Sequence, residues 1–369
     1  MNKKTTRISS GFDPAIENLK AAPRTKIENR EGWSRREFLA KIGLAGSAAF
    51  LGLQSDVFAA EPPPETTRIR IPQIPSTCRS PEWMAEELLR AEGFTDVQYI
   101  PKQGTQEVER ALASGEADIG GHFAAPVILR LEAGDPIVIV GGEHVGCFEL
   151  LGTDRIRTIR DLKGRAVAIP ALDPSPYAFL ASMAAYVGLD PRRDINWVKH
   201  SAKESMTLLA NGKIDAYLGF PPNPQELRAM KKIKSIRVVV NSMVDRPWSQ
   251  YFCCMVLGNR DFVRKNPVAT KRALRAILKG SDLVASEPKR TARFLVDKGF
   301  TQNYDYALEA LTEMKMAYTA WRDYDPEDTL RFYALRLHEA GMIKSSPQKI
   351  IAQGTDWRFL KELKKELKA

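Results

Sequence analysis

The residue types that carry most enzyme chemistry are sparse in this sequence. Four histidines (His122, His144, His200, His338) and four cysteines (Cys78, Cys147, Cys253, Cys254) are scattered over 369 residues. None shows the CxxC spacing of a compact metal motif, so a zinc site is not expected. No Gly-rich phosphate loop and no nucleophile–base motif is evident, so neither a cofactor nor a catalytic residue is expected. What remains are hydroxyls, guanidiniums, rings and glycines placed where strand-like segments give way to helix-like ones. That inventory suits binding better than bond breaking.

In open parallel α/β sheets, ligands sit beyond the carboxyl ends of the strands. Four loops then hold the candidates. In "QIPSTCRS" (73–80), Ser76 and Thr77 offer hydroxyls and Arg79 a forked cation for a carboxylate or sulfonate. Ser80 reads equally well as the cap of a helix opening at Pro81. In "GGHF" (120–123), Gly121 lets backbone approach a ligand and His122 could hydrogen-bond to it, or serve only the structure. In "ALDPSPY" (171–177), Ser175 and Tyr177 open an apolar helix whose N-terminal N–H groups favour an anion. Asp173 would repel that anion and favour an amine or ring N–H in the ligand. Phe220, after the phrase "LLANGKIDAYLG", either walls the cleft or belongs to the core, and Trp248 and Tyr251 could line its floor.

The elements that must position these loops follow from a repeat. A strand at 68–71, a helix pattern at 81–91, a strand at 97–100 and a helix at 106–114 lead to "ALASGEADIGG". About 97 residues later the order recurs: strand 166–169, helix 176–187, strand 195–198, helix 203–210, then "LLANGKIDAYLG". The two phrases superpose Gly115 on Gly212 and Asp118 on Asp215, each glycine fitting a helix C-cap. Such alternation predicts parallel sheets covered by helices. Two strand-like segments, "HVGCFELLGT" (144–153) and "SQYFCCMVLGN" (249–259), then read as exit and return crossings between two lobes. The expected division is 66–147 plus 256–369 for the first lobe, with C-terminal helices bracing it, and 148–255 for the second.

Residues 1–59 stand apart. "SRREFL" (34–39) matches a twin-arginine export address, a 12-residue apolar run (42–53) follows, and Ala59 suits cleavage. That run is too short to span a bilayer, which takes about 20 residues. The reading is a leader and signal peptide, with the periplasm as destination and the twin-arginine machinery as a partner. Net charge is +10 overall, and ten Lys/Arg against six Asp/Glu in the leader leave the remainder near +6. With no basic–aromatic stripe, no nucleic-acid partner is expected.

"GTQEVERALASGEADIGG", "TIRDLKGRAVAIPALDPSPYAFLASMAAYVGLD" and "LLANGKIDAYLGF" resemble the nitrate/sulfonate/taurine-type substrate-binding proteins of ABC importers. Their superfamily also holds thiamine-pyrimidine-precursor-binding proteins and a related pyrimidine synthase. The resemblance implies a type II periplasmic binding protein fold: two Rossmann-like α/β lobes, a two-strand hinge and a helical C-terminal extension. It further implies a non-enzymatic receptor for a small organic ligand, a sulfonate, nitrate-like or related nitrogen- or sulfur-containing solute, delivered to an inner-membrane ABC permease. A pyrimidine-precursor-binding protein or synthase-like enzyme is the alternative, and a receptor serving a membrane kinase would look the same. In this family the hinge strands run side by side, which would bring Cys147 near Cys253 or Cys254; disulfide and free thiols both remain open.

Overall fold

The computed structural model describes residues 61–169, 175–230 and 236–368. The twin-arginine segment and Asp173 lie outside them. The first half runs β1 (Arg68–Gln73), α1 (Ser80–Met84), α2 (Glu86–Ala91), β2 (Asp96–Pro101), α3 (Thr105–Ser114), β3 (Ile119–Phe123), α4 (Ala124–Glu132) and β4 (Ile137–Val145). The second continues with β5 (Glu149–Thr153), β6 (Ala166–Ile169), α5 (Ser175–Tyr186), β7 (Asn196–Lys199), α6 (Ala202–Ala210), β8 (Ala216–Gly219), α7 (Asn223–Ala229) and β9 (Ile236–Asn241). After β10 (Phe252–Asn259) the chain is helical: α8 (Arg260–Lys265), α9 (Pro267–Ser286), α10 (Pro288–Asp297), α11 (Tyr304–Glu313), α12 (Lys315–Thr319), α13 (Pro326–Glu339), α14 (Pro347–Gly354) and α15 (Arg358–Glu366).

The repeat has a structural cause. Val108, Ala111 and Leu112 give α3 a buried stripe at helical spacing, and Gly115 ends it in the left-handed region at φ +74°. The chain then turns into β3 through Asp118. The Asp118 N–H donates to Arg70 O, and Arg70 N–H donates back to Asp118 Oδ2 at 2.8 Å. The same exchange recurs at the second site: Asp215 N–H donates to Ala166 O, and Ala166 N–H donates to Asp215 Oδ2 at 3.0 Å. Each aspartate thus clips the strand leaving a helix to the strand that preceded it, satisfying edge groups that the ladder leaves unpaired.

Strands β1 and β2 pair in parallel, β3, β10 and β4 form an antiparallel sheet, and a five-stranded sheet runs β7-β6-β8-β5-β9. In the last, β6 is parallel to β7 and β8, whereas β5 is antiparallel to β8 and β9. The result is a two-lobed α/β architecture. Only the β1–β2 pair is purely parallel; the other two sheets are not, because β5 and β10 are the crossing strands and run against the strands they meet.

The crossing itself breaks where one continuous strand was expected. β4 stops at Val145 and β5 starts at Glu149. Between them Gly146 sits at φ +29°, and a Cβ there would lie 2.1 Å from Ser242 O. Only glycine allows the returning segment so close. Ser242 is bound on the other side of the break, its hydroxyl donating to Phe148 O at 2.7 Å and accepting from Phe148 N–H at 2.9 Å. The returning β10 lies antiparallel to β4, with Phe252 opposite Val145 and Cys254 opposite His144.

The C-terminal helices do more than brace the first lobe. α9 packs on α1, α2 and α12, but α13 packs on both α4 and α5, so it touches elements of both lobes. No described helix is long and apolar enough to cross a membrane.

Candidate functional site

A cavity of about 670 Å³ opens where the carboxyl ends of β1, β3 and β8 converge. From the first lobe, Ile74, Pro75 and Ser76 follow β1, Phe123 ends β3 and Thr105 begins α3. From the second come Pro176 and Ala202 in the first turns of α5 and α6, then Tyr217, Phe220 and Asn223 around the end of β8. The segment between α10 and α11 closes the wall with Thr301, Gln302 and Asn303. The size is that of an organic small molecule rather than of a bare triatomic or tetratomic ion.

Its chemistry has two parts. The apolar part is a set of phenyl rings drawn from both lobes. Phe123, Phe220 and Phe300 line the cavity, with Phe123 4.8 Å from Phe220, and the buried Phe179 backs Phe123 at 6.0 Å and Phe148 at 4.8 Å (ring centroids). Such tilted and edge-on contacts suit the ring quadrupole. The polar part is hydroxyl and amide groups together with helix starts. The first turns of α3, α5 and α6 and the cap of α11 all reach the cavity, and helix N-termini favour negative charge. Asn223 Nδ2–H donates to Tyr217 Oη at 3.0 Å, and Asn303 Oδ1 accepts the N–H groups of Asp305 and Tyr306. No lysine, arginine, histidine or cysteine lines the cavity among the described residues, and Glu226 is its one carboxylate.

Ser76 and Phe220 are therefore at the cavity, while Thr77, Arg79, Gly121, His122, Tyr177 and Trp248 are placed elsewhere. Arg79 is buried, and its Nε and Nη2 donate to the two carboxylate oxygens of Glu82 at 2.5 and 2.7 Å. Burial works against the Arg79 charge, but Glu82, with Glu143 behind it, more than offsets this and raises its pKa. Glu143 is pushed well above the ordinary glutamate range by burial, with the Glu82 charge adding to the effect. Gly121 leaves the space this cluster occupies: a Cβ there would lie 2.3 Å from Glu82 Oε1 and 2.6 Å from Glu143 Oε2. The side chain that sequence reasoning offered to a ligand anion is thus committed to an internal one.

His122 is buried with Nε2 3.2 Å from Glu109 Oε1 and Nδ1 3.2 Å from Phe123 O. Thr77 is buried, and its carbonyl accepts the Ser80 and Tyr318 hydroxyls. Ser80 therefore ties the loop together and gives no side-chain cap to α1, whose cap position is Arg79. Tyr177 packs edge-on against Trp197 at 5.0 Å, and burial raises its pKa. Trp248 is buried against Tyr186 and Phe332 at 5.4 and 5.6 Å, and Tyr251 stacks on Phe332 at 4.1 Å. That aromatic group is separate from the cavity lining. Ser175 is the first residue of α5, next to the cavity residue Pro176. All four cysteines are buried and free, with Cys147 Sγ 2.8 Å from Cys253 Sγ.

Sequence reasoning missed Thr105, Asn223 and the 301–303 segment. Their only signal was position: two begin helices, and the polar "TQN" interrupts a run of helical sequence far along the chain.

Two lobes built by strand–helix repeats, crossed twice by the chain and meeting over a ligand-sized cleft, define a periplasmic-binding-protein fold. The sequence profile of the NMT1/THI5-like family matches residues 90–291, and the chain belongs to that family. Solved structures agree on the fold. The alkanesulfonate-binding protein SsuA from Xanthomonas axonopodis pv. citri, bound to MOPS, has a TM-score of 0.58 at 17% identity, over 78% of this chain and 96% of that one. The periplasmic aliphatic sulphonate binding protein SsuA from Escherichia coli has a TM-score of 0.62 at 17% identity, over 78% and 92%. The periplasmic nitrate-binding protein NrtA from Synechocystis PCC 6803 has a TM-score of 0.66 at 14% identity, over 83% and 90%. A search of curated protein sequences gives no match.

Proposed function

We propose that this protein is a solute-binding receptor that captures a small organic anion of the sulfonate type between its lobes and presents it to an ABC permease. The observation that carries the reading is the cavity itself: a phenyl-lined space of about 670 Å³ with helix starts at its rim and no side-chain cation among its described lining. Helix N-termini and neutral donors can hold a charged head without a full counter-charge. The rings favour an apolar body behind that head, which a nitrate ion lacks. Among the described residues no histidine or cysteine lines the cavity to serve turnover, which favours binding over catalysis. The lobes divide as 66–147 plus 256–369 and 148–255, and the twin-arginine segment carries the chain to the periplasm.

Calorimetric titration with nitrate and an alkanesulfonate series of increasing length tests this. Each buried methylene should add about 0.8 kcal/mol until the cavity is filled, a roughly fourfold gain in affinity per carbon. Phe220→Ala should flatten that series without abolishing head-group binding. Nitrate binding as tightly as the longest sulfonate, or no anion binding at all, would overturn the assignment.

A further inference from the structure

Behind the cleft, three chain segments remote in sequence bring soft donor groups together. Cys78 follows β1, His144 is near the end of β4, and Cys147 lies in the crossing. One potential ligand atom from each lies within 4.8 Å of the others, and all three residues are buried. His144 Nδ1 is 3.2 Å from Val145 O, the contact that places the ring proton on Nδ1 and leaves a lone pair on Nε2. That Nε2 is buried with no hydrogen-bond partner. An unmet buried polar atom costs about 1–3 kcal/mol, so a partner for it is expected.

We propose that Cys78, His144 and Cys147 form a closed structural site for one borderline divalent cation of the zinc class. Thiolate and imidazole donors are the set such a cation selects over calcium or magnesium. Three thiolates, counting Cys254 below, and one neutral imidazole leave the site with a single negative charge, the donor set of closed Cys3His structural zinc sites. On binding, each ligating thiol gives its proton to solvent and its sulfur lone pair to the metal. Tetrahedral bonds place donors about 3.5–3.8 Å apart, so a cluster whose donor atoms lie within 4.8 Å of one another needs to close by about 1 Å at most, through side-chain rotation. Cys254 is the fourth donor: it sits opposite His144 in the β10–β4 ladder, and register shifts on either side of it let neighbouring residues depart from strict alternation. The site joins the loop after β1, the exit crossing and the return strand, so the metal fastens the region from which both lobes emerge. CxxC spacing could not reveal it, because its donors come from separate segments.

The test uses the full chain. Protein purified from zinc-supplemented cells is measured for metal by plasma mass spectrometry, and denatured protein is refolded with cobalt(II) under thiol reductant. About one zinc per chain and a tetrahedral cobalt spectrum with thiolate charge-transfer absorption are expected. Cys78→Ser and His144→Gln should each weaken cobalt affinity about 100-fold or more. Because either variant could fail to fold and all four thiols are buried, alkylation of wild-type protein with and without a zinc chelator gives a second readout: chelation should speed modification of Cys78, Cys147 and Cys254, and an unchanged rate would count against the site. Wild-type protein without bound zinc after refolding, a cobalt spectrum lacking thiolate absorption, or a Cys147–Cys253 disulfide in the purified chain would overturn the proposal.

Discussion

Replacing Arg79 with methionine removes the guanidinium that binds the buried Glu82 carboxylate and lies in the field of Glu143, while keeping a flexible side chain in its place. In the native protein Glu82 receives both Arg79 bonds and is fully buried, as is Glu143. Without Arg79 the Glu82 carboxylate must either stay charged in the interior or take up a proton. An ordinary glutamate titrates near about 4.3, so holding one neutral at pH 7 costs about 3.7 kcal/mol. This agrees with the roughly 3–5 kcal/mol lost when one partner of a buried pair is removed. Protonation becomes easier by about 1.4 kcal/mol per pH unit, so the deficit should shrink to about 1 kcal/mol near pH 5. Urea unfolding of wild type and Arg79→Met at the two pH values measures it, and sulfonate titration of the folded variant separates stability from binding. A deficit below about 1 kcal/mol at pH 7, or one that does not change with pH, would refute the burial argument. Full stability with lost affinity would return Arg79 to the ligand.

Other perturbations test neighbouring parts of the same reasoning. Burial raises the Glu143 pKa, so its contribution to stability is complete below the ordinary glutamate range and is lost as pH rises toward the native value. Glu143→Gln should therefore gain on wild type by about 1.4 kcal/mol per pH unit across that window, and parallel stability–pH curves would count against it. Asp118→Asn should cost about 2–3 kcal/mol, because Asp118 receives the Arg70 N–H and its guanidinium, and Asp215→Asn less, because Arg155 is more exposed. Equal losses in thermal unfolding would show that the backbone clip alone matters. Arg228 ties buried Glu149 to Glu309 and Glu313 on α11, so Arg228→Ala should cost about 1 kcal/mol after allowance for its partial exposure. It should also speed ligand release several-fold in stopped-flow measurements; an unchanged rate would remove the clasp between α11 and the second lobe.

The fold was legible where local chemistry punctuates it. Gly115 and Asp118, echoed at Gly212 and Asp215, mark the same helix-to-strand turn twice, and those turns are local. The antiparallel sense of β5 and β10 was not legible, since direction depends on which strand lies alongside after a long crossing. Arg79 shows why the site was read less well. A guanidinium in a strand-end loop suits an anion, but Glu82 three residues on is a closer claimant, and only the tertiary burial of Glu143 and the clearance at Gly121 show that the claim is met. Gln302 and Asn303 were hidden for the opposite reason: they belong to the C-terminal helices by sequence and to the cleft by folding.

The phenyl rings at the cleft have a kinetic consequence. Phe123 belongs to one lobe and Phe179 and Phe220 to the other, and their rings are in contact. Parting them forfeits two ring contacts, about 1–3 kcal/mol together. The accessible state is then a minority of roughly one molecule in five to one in 150, and the observed association rate falls by the same factor below the encounter rate. A smaller side chain at Phe123 should therefore quicken capture even as it loosens the bound state, so uptake from dilute solution and retention once bound are set against each other by a single ring.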